Sequence, residues 1–355
     1  MRNSTALKVE ARPGRVLIVD DSAVARAVLA RVLAGSDRLE VAGSVATAAA
    51  ALAFLSMDRV DLVILDIQMP GVDGLTALPD LLAAGKGAKV LVVSSAAGEG
   101  AAATIQALAL GAADTLVKPA PGERSRRFEA GLIEKLERLM NPDGPAVTRS
   151  VAEASAAPVA DDAFDIVAIG ASTGGIHALS QLLRGLPTNF RVPILVTQHL
   201  PATFMPYFAS QLAVLANRPC EVATDRMRIR PGRIVIAPGD AHLRCVPLAD
   251  GTAAIRLSSE PQPSGCTPSV DPMFESVAEC FGPRVLAIVL SGMGRDGTEG
   301  ARRVAAAGGY IVVQDRASSA VWGMPGSVAS TGLAGAALDP QGIGRVIASR
   351  RRPQC

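Results

Sequence analysis

The chain has 355 residues, the length of two ordinary domains, and is 49% hydrophobic and 19% charged, a globular composition and not a disordered one. Its net charge of +2 argues against a dedicated nucleic-acid or polyanion surface. No apolar h-region opens the chain and no apolar run approaches the ~18 residues of a membrane span, so neither a signal peptide nor a transmembrane helix is expected. Cys220, Cys245, Cys266, Cys280 and Cys355 form no C-x-x-C pair; an odd number of scattered thiols suits a reducing cytoplasm and speaks against a structural zinc site.

From Arg15 the chain alternates short Val/Ile/Leu runs with Ala/Leu-rich helical spans. The runs are VLIVD (16–20), LEVAGS (39–44), DLVILD (61–66), KVLVVS (89–94) and TLVKP (115–119). Such runs, bounded by Gly, Pro and Asp and separated by helices, predict a parallel sheet of βα units. Ligands bind such sheets at the carboxyl ends of the strands. Asp20 and Asp21 follow the first strand, Asp66 ends the third, Ser94 the fourth, and Lys118 lies at the end of the fifth. A lone acid there would be only a turn former. Several carboxylates converging at one edge repel each other unless a cation sits among them, and hard oxygen ligands with room for water suit Mg²⁺. A nearby Lys and hydroxyl can then stabilise an incoming phosphoryl group.

With "VDD", "LDIQMPGVDG", "VVSS" and "KP" in this order, the first half resembles the receiver domain of two-component response regulators, a flavodoxin-like doubly wound sheet. The resemblance implies that Asp66 accepts a phosphoryl group from a partner histidine kinase. It implies Mg²⁺ bound by Asp21, Asp66 and the Gln68 carbonyl, with Asp20 acting through water, and Ser94 and Lys118 on the phosphoryl group. Receivers usually carry an aromatic switch residue three positions before the Lys; here that position is Thr115, which puts an aromatic rotamer switch in doubt.

Phe128, Leu132, Ile133, Leu136 and Leu139 recur at helical spacing and predict the closing helix of this domain. The Ala/Pro/Ser/Asp-rich segment after it lacks an apolar period and is expected to be an exposed linker. The expected division is a receiver at 14–138, a linker at 139–163 and a second domain at 164–350. In the second domain the runs are DIVAIG (165–170), PILVTQH (193–199), RIVIAPG (233–239), VLAIVLSG (285–292) and YIVVQD (310–315). They predict a doubly wound, mostly parallel sheet. The "ADG" between HLRCVPL and AAIRL predicts a hairpin that would make this sheet mixed.

Gly170-Ala-Ser172-Thr-Gly174 fits a G-x-S-x-G nucleophile elbow between a strand and a helix. A Ser in that place could equally be a helix cap. A nucleophilic Ser needs a base, and the chain has three His. His177, five residues on, is rotated by about 500° along the same expected helix and reads as a surface or packing residue. His199 ends a strand at the same edge as Ser172 and is favoured over His242, which follows the APGD loop. Asp296 follows the strand VLAIVLSG and can orient the His, although Asp240 and Asp315 also follow strands. Gly292-Met-Gly294-Arg-Asp-Gly297 also fits the dinucleotide pattern G-x-G-x-x-G, with Asp315 near the place of a ribose-binding acid. Asp296 would repel the pyrophosphate that this pattern serves to bind.

"IGASTGG", "QHLP", "IAPGDAHL", "PSVDPMFES", "SGMGRDG" and "QDRASSAVWGMPG", in order over about 166–328, resemble the catalytic domain of the chemotaxis protein-glutamate methylesterases, the CheB family. The upstream receiver completes that family's architecture. The resemblance implies a Ser172–His199–Asp296 triad and an oxyanion hole that includes the Met293 backbone N–H. It implies, as substrate, methylated Glu side chains of transmembrane chemoreceptors, deamidation of receptor Gln, and an unphosphorylated receiver that blocks the site. No metal or organic cofactor is expected for the ester step, no nucleic acid and no membrane insertion. Three competing functions are a nucleotide-dependent oxidoreductase using the later glycine loop, a non-catalytic signalling adaptor, and a DNA-binding response regulator. The last lacks a basic recognition helix.

Overall fold

The computed structural model describes residues 12–94, 98–119, 126–140 and 163–349. The expected linker falls almost wholly outside them. The first domain runs β1 (Gly14–Val19), α1 (Ala23–Leu33), β2 (Leu39–Val45), α2 (Ala48–Met57), β3 (Leu62–Asp66), α3 (Gly74–Ala84), β4 (Lys89–Ser94), α4 (Gly98–Leu110), β5 (Asp114–Val117) and α5 (Arg126–Met140). Its sheet has the order β2-β1-β3-β4-β5 with every pairing parallel. Each of the five strands expected from the apolar runs is present. β1 and β3 are buried on both faces, as all-Val/Ile/Leu runs require in a sheet covered by helices. Local chemistry sets the helix starts: the side chains of Ser22, Thr47 and Asp73 accept from Ala25 N, Ala50 N and Thr76 N.

The second domain runs β6 (Ile166–Ala171), α6 (Gly175–Arg184), β7 (Ile194–Gln198), α7 (Met205–Ala216), β8 (Cys220–Val222), β9 (Ile234–Ile236), β10 (His242–Pro247), β11 (Ala253–Ser258), α8 (Val270–Phe281), β12 (Val285–Val289), α9 (Thr298–Ala306), β13 (Tyr310–Gln314), α10 (Gly323–Ser330), β14 (Ala336–Leu338) and α11 (Pro340–Ser349). The main sheet has seven strands in the order β14-β13-β12-β6-β7-β9-β8, all parallel. The expected hairpin exists, but it does not join that sheet. β10 and β11 form a two-stranded antiparallel sheet, with a further antiparallel bridge from Ala254 of β11 to Arg228, and β10 packs on α8. The domain is therefore not mixed in the sense expected: its large sheet is purely parallel.

This strand order places the site. From β6 the chain winds to β7, β8 and β9 on one side, then returns to build β12, β13 and β14 on the other. The crevice between the carboxyl ends of β6 and β12 is thus a topological switch point, where doubly wound sheets bind ligands. The apolar layers of the two domains are continuous: Leu81, Ile105 and Leu108 of the receiver belong to one cluster with Leu179, Leu182 and Phe208.

Candidate active site

Ser172 leaves the end of β6 and Asp296 lies in the loop after β12, on the two sides of the switch point; His199 follows β7 next door. The His199 backbone N donates to Ala171 O at 3.1 Å, so ladder geometry fixes its place beside the Ser172 loop. That loop is pinned twice by Ser291, whose carbonyl accepts from Ser172 N (3.1 Å) and whose hydroxyl donates to Thr173 O (2.7 Å). The Gln198 amide donates to Ser172 O at 2.9 Å. Two glycines make the approach possible. Gly174 sits at φ +77°, a left-handed conformation that favours Gly, and a Cβ on Gly292 would lie 2.9 Å from Ser172 Cβ.

His199 Nε2 and Asp296 Oδ2 are 2.7 Å apart. Asp296 is 3% exposed and held from several directions: Ser269 Oγ donates to Oδ1 (2.6 Å), Val270 N to Oδ2 (2.8 Å) and Gly297 N to Oδ1 (3.1 Å). Burial opposes its charge, but the His199 and Ser269 bonds outweigh it and hold the carboxyl below the usual range. Burial likewise opposes the His199 imidazolium; the Asp296 carboxylate, with a contribution from the Cys266 sulfur, overrides it and pushes the ring up to about 9. Asp271, half-buried next to Asp296, is pushed up to about 7 by desolvation and by that carboxylate, against the Gly300 N–H that bonds it. With Nε2 committed to Asp296, Nδ1 is the ring nitrogen left to serve a hydroxyl. Among the described residues no hydrogen bond joins Ser172 Oγ to His199. Catalytic hydrogen bonds are often open before substrate arrives.

His242, Asp240 and Asp315 stand outside the His199–Asp296 pair. His242 is 1% exposed, and both its ring nitrogens are engaged away from Ser172, with Glu260 O and Ser269 N. Asp240 is exposed, and Asp315 accepts from Ser318 N and Oγ in a local turn. In the G-x-G-x-x-G loop, Asp296 accepts from Gly297 N at the start of α9, so a carboxylate occupies the place where that pattern would present donors to a phosphate. α6 begins only at Gly175, so Ser172 and His177 do not share a helix as expected. His177 does prove a packing residue: its Nδ1 lies 3.0 Å from Ala109 O of the receiver.

The receiver sits directly on the Ser172 loop. Gly174 N donates to Ala113 O (2.8 Å) and Thr173 Oγ1 to Asp114 Oδ2 (2.8 Å), while Lys135 of α5 bonds the other oxygen of Asp114 (2.8 Å). Met293 packs against the receiver cluster that includes Leu132, Leu136 and Leu139, and Val321 belongs to it. A cleft of about 500 Å³ opens between the domains, with Ser172, His199 and Met293 on one wall and Thr115, Lys135 and Arg138 on the other.

In the receiver, Asp20, Asp21, Asp66 and Lys118 come together. Lys118 Nζ lies 2.6 Å from Asp66 Oδ2 and 3.3 Å from Asp20 Oδ2. Asp20, Asp21 and Asp66 each present an oxygen within 4.8 Å of the others, a donor set that fits a hard divalent cation. Asp66 is desolvated, which raises its carboxyl against the pull of Lys118; Lys118 is raised in turn by Asp66 and Asp20, which overcome its own desolvation. Gln68 N donates to Asp66 Oδ1 (3.1 Å). Ser94 Oγ bonds Thr104 Oγ1, which also donates to Gly100 O. Thr115, in the place of an aromatic switch, is buried, and its hydroxyl has no hydrogen-bond partner among the described residues.

A doubly wound α/β domain with a receiver-like domain seated against the sheet edge that carries Ser172, His199 and Asp296 is the class that this fold and site define. Residues 167–347 match the CheB methylesterase family and residues 16–127 the response regulator receiver domain, and the chain belongs to the CheB methylesterase family. It is 40% identical over 354 residues to the protein-glutamate methylesterase/protein-glutamine glutaminase 1 of Paramagnetospirillum magneticum, covering 91% of this chain and 92% of that one. It is 41% identical to the corresponding enzyme 2 of Caulobacter vibrioides, covering 95% and 99%. The crystal structure of the CheB methylesterase catalytic domain of Thermotoga maritima, 34% identical, superposes with a TM-score of 0.51 over 52% of this chain and 98% of that one.

Several residues that shape the site were not singled out from sequence. Ser269 and Asp271 lie in the quoted "PSVDPMFES", where a Ser before a helix carries a capping signal. Nothing in the sequence points from there to Asp296.

Proposed function

We propose that the chain hydrolyses the methyl esters of chemoreceptor Glu side chains, and deamidates receptor Gln, in the cytoplasm. Ser172 Oγ attacks the ester carbonyl carbon as His199 takes its proton. Asp296 keeps the imidazole in one tautomer and stabilises the imidazolium. The Met293 N–H stabilises the tetrahedral oxyanion. His199 returns the proton to the methoxide, methanol leaves and a glutamyl ester of Ser172 remains. Water, activated by His199, then releases the carboxylate. The observation that carries this reading is the 2.7 Å His199–Asp296 bond, with His199 lining the same cleft as Ser172.

In the receiver, Asp66 takes the phosphoryl group from a histidine kinase, and Ser94 and Lys118 contact its oxygens. Asp21, Asp66 and the Gln68 carbonyl would hold Mg²⁺, with Asp20 acting through water; once bound, the cation offsets the charge that gathers there. Phosphorylation weakens the seat of the receiver on the Ser172 loop and opens the cleft. In a methanol-release assay on methylated receptor membranes, Ser172→Ala should abolish turnover while acetyl phosphate still labels Asp66. Full esterase activity in that variant would refute the assignment.

A further inference from the structure

The third histidine lies outside the triad and is built into its support. His242, at the first position of β10, is 1% exposed and sits between two backbone groups of fixed character. Ser269 N, a donor, is 2.9 Å from Nδ1, and Glu260 O, an acceptor, is 3.0 Å from Nε2. One nitrogen must therefore accept and the other donate, which selects the neutral ring with its proton on Nε2. The backbone so held is the start of α8. Ser269 is the residue before that helix, is fully buried, and sends its side chain to Asp296 Oδ1 at 2.6 Å; the next backbone N–H, of Val270, donates to Oδ2 at 2.8 Å. Those two donors aim the carboxylate that faces His199.

We infer that His242 is a positioning residue for the hydrolytic site: its Nδ1 lone pair anchors Ser269, and Ser269 with Val270 orients Asp296 toward His199. The inference rests on the reading of Asp296 as the triad carboxylate. It separates the two ring nitrogens, because only the bond to Ser269 lies on the path to Asp296. The bond to Glu260 O fixes the ring and its tautomer.

Two amide substitutions divide these roles. In His242→Asn the amide lies where Nδ1 lies and can accept from Ser269 N. In His242→Gln it reaches the place of Nε2 and can donate to Glu260 O, while the acceptor for Ser269 is lost. In the full chain with acetyl phosphate, His242→Asn should keep kcat for methanol release within about threefold of wild type. His242→Gln should lose tenfold or more in kcat with little change in KM. The low-field proton resonance of the His199–Asp296 hydrogen bond should persist in His242→Asn and shift or broaden in His242→Gln. Equal behaviour of the two variants, or a more active His242→Gln, overturns the inference, since simple filling of space would favour the larger side chain. The resonance needs no substrate. If wild-type protein releases no methanol, the functional reading fails, and the resonance still tests the role of His242.

Discussion

At the scale of single residues, the proposed mechanism makes the charge state of His199 set the working range. A base must be neutral to take a proton, and Asp296 with Cys266 holds the folded ring up to about 9. With that value only about 1% of the rings are neutral at pH 7. Methanol release by the full chain should therefore climb with pH and level off near 9. In Asp296→Asn the rate should fall and the midpoint should move down toward the ordinary histidine value, because the largest group that raises it has gone. A pH–rate profile of both proteins checks this; an unchanged midpoint would show that Asp296 does not hold the imidazolium. The same shift has a sign in stability. The folded ring binds its proton more tightly than the unfolded one, so the contribution is complete below about 6.5 and is lost as pH rises through about 9.

At the scale of elements, the short strand β5 joins the two chemistries. Ser94 ends its neighbour β4, Lys118 follows its own last residue, and its first residue, Asp114, grips Thr173 next to Ser172. Asp114 also takes Lys135 of α5, so strand, helix and catalytic loop meet on one carboxylate. Removing a hydrogen bond to a charged group shifts such a docking equilibrium by about 1.5 kcal/mol, or roughly tenfold. Asp114→Ala should thus raise methanol release by the unphosphorylated chain several-fold, with little further gain from acetyl phosphate. A variant as quiet as wild type would remove this contact from the control. Such a link is not legible in the sequence, since Asp114 and Thr173 are 59 positions apart and each alone is an ordinary polar residue. What was legible follows from local physics. Long Val/Ile/Leu runs ending in Asp, Ser or His named the central strands and the side chains at their carboxyl ends. β8 and β14, three residues each at the two edges of the large sheet, carry too little pattern to be seen. The hairpin turn was readable from its residues, but whether the hairpin joined the large sheet depended on α8, which it packs against.

At the scale of the whole molecule, the receiver covers the site rather than merely accompanying it. It meets the Ser172 loop through the Ala113 carbonyl and the Asp114 carboxylate, packs α5 residues against Met293 and Val321, and shares an apolar cluster with α6 and α7. A receptor Glu side chain must reach Ser172 through the cleft between these surfaces, one wall of which is the receiver itself. On the proposed function the receiver competes with the receptor for one edge of the sheet, and a covalent tether keeps its local concentration high. A fragment of residues 160–355 frees that edge. It should release methanol faster than the unphosphorylated full chain and should not respond to acetyl phosphate, whereas the full chain should approach the rate of the fragment once Asp66 is phosphorylated. Initial rates of the fragment and of the full chain, each with and without the phosphodonor, test this. A correctly folded fragment slower than the unphosphorylated chain would mean that the receiver completes the catalytic edge instead of blocking it. Phosphorylation would then have to act by reshaping the Ser172 loop through Asp114 and not by clearing a path to it.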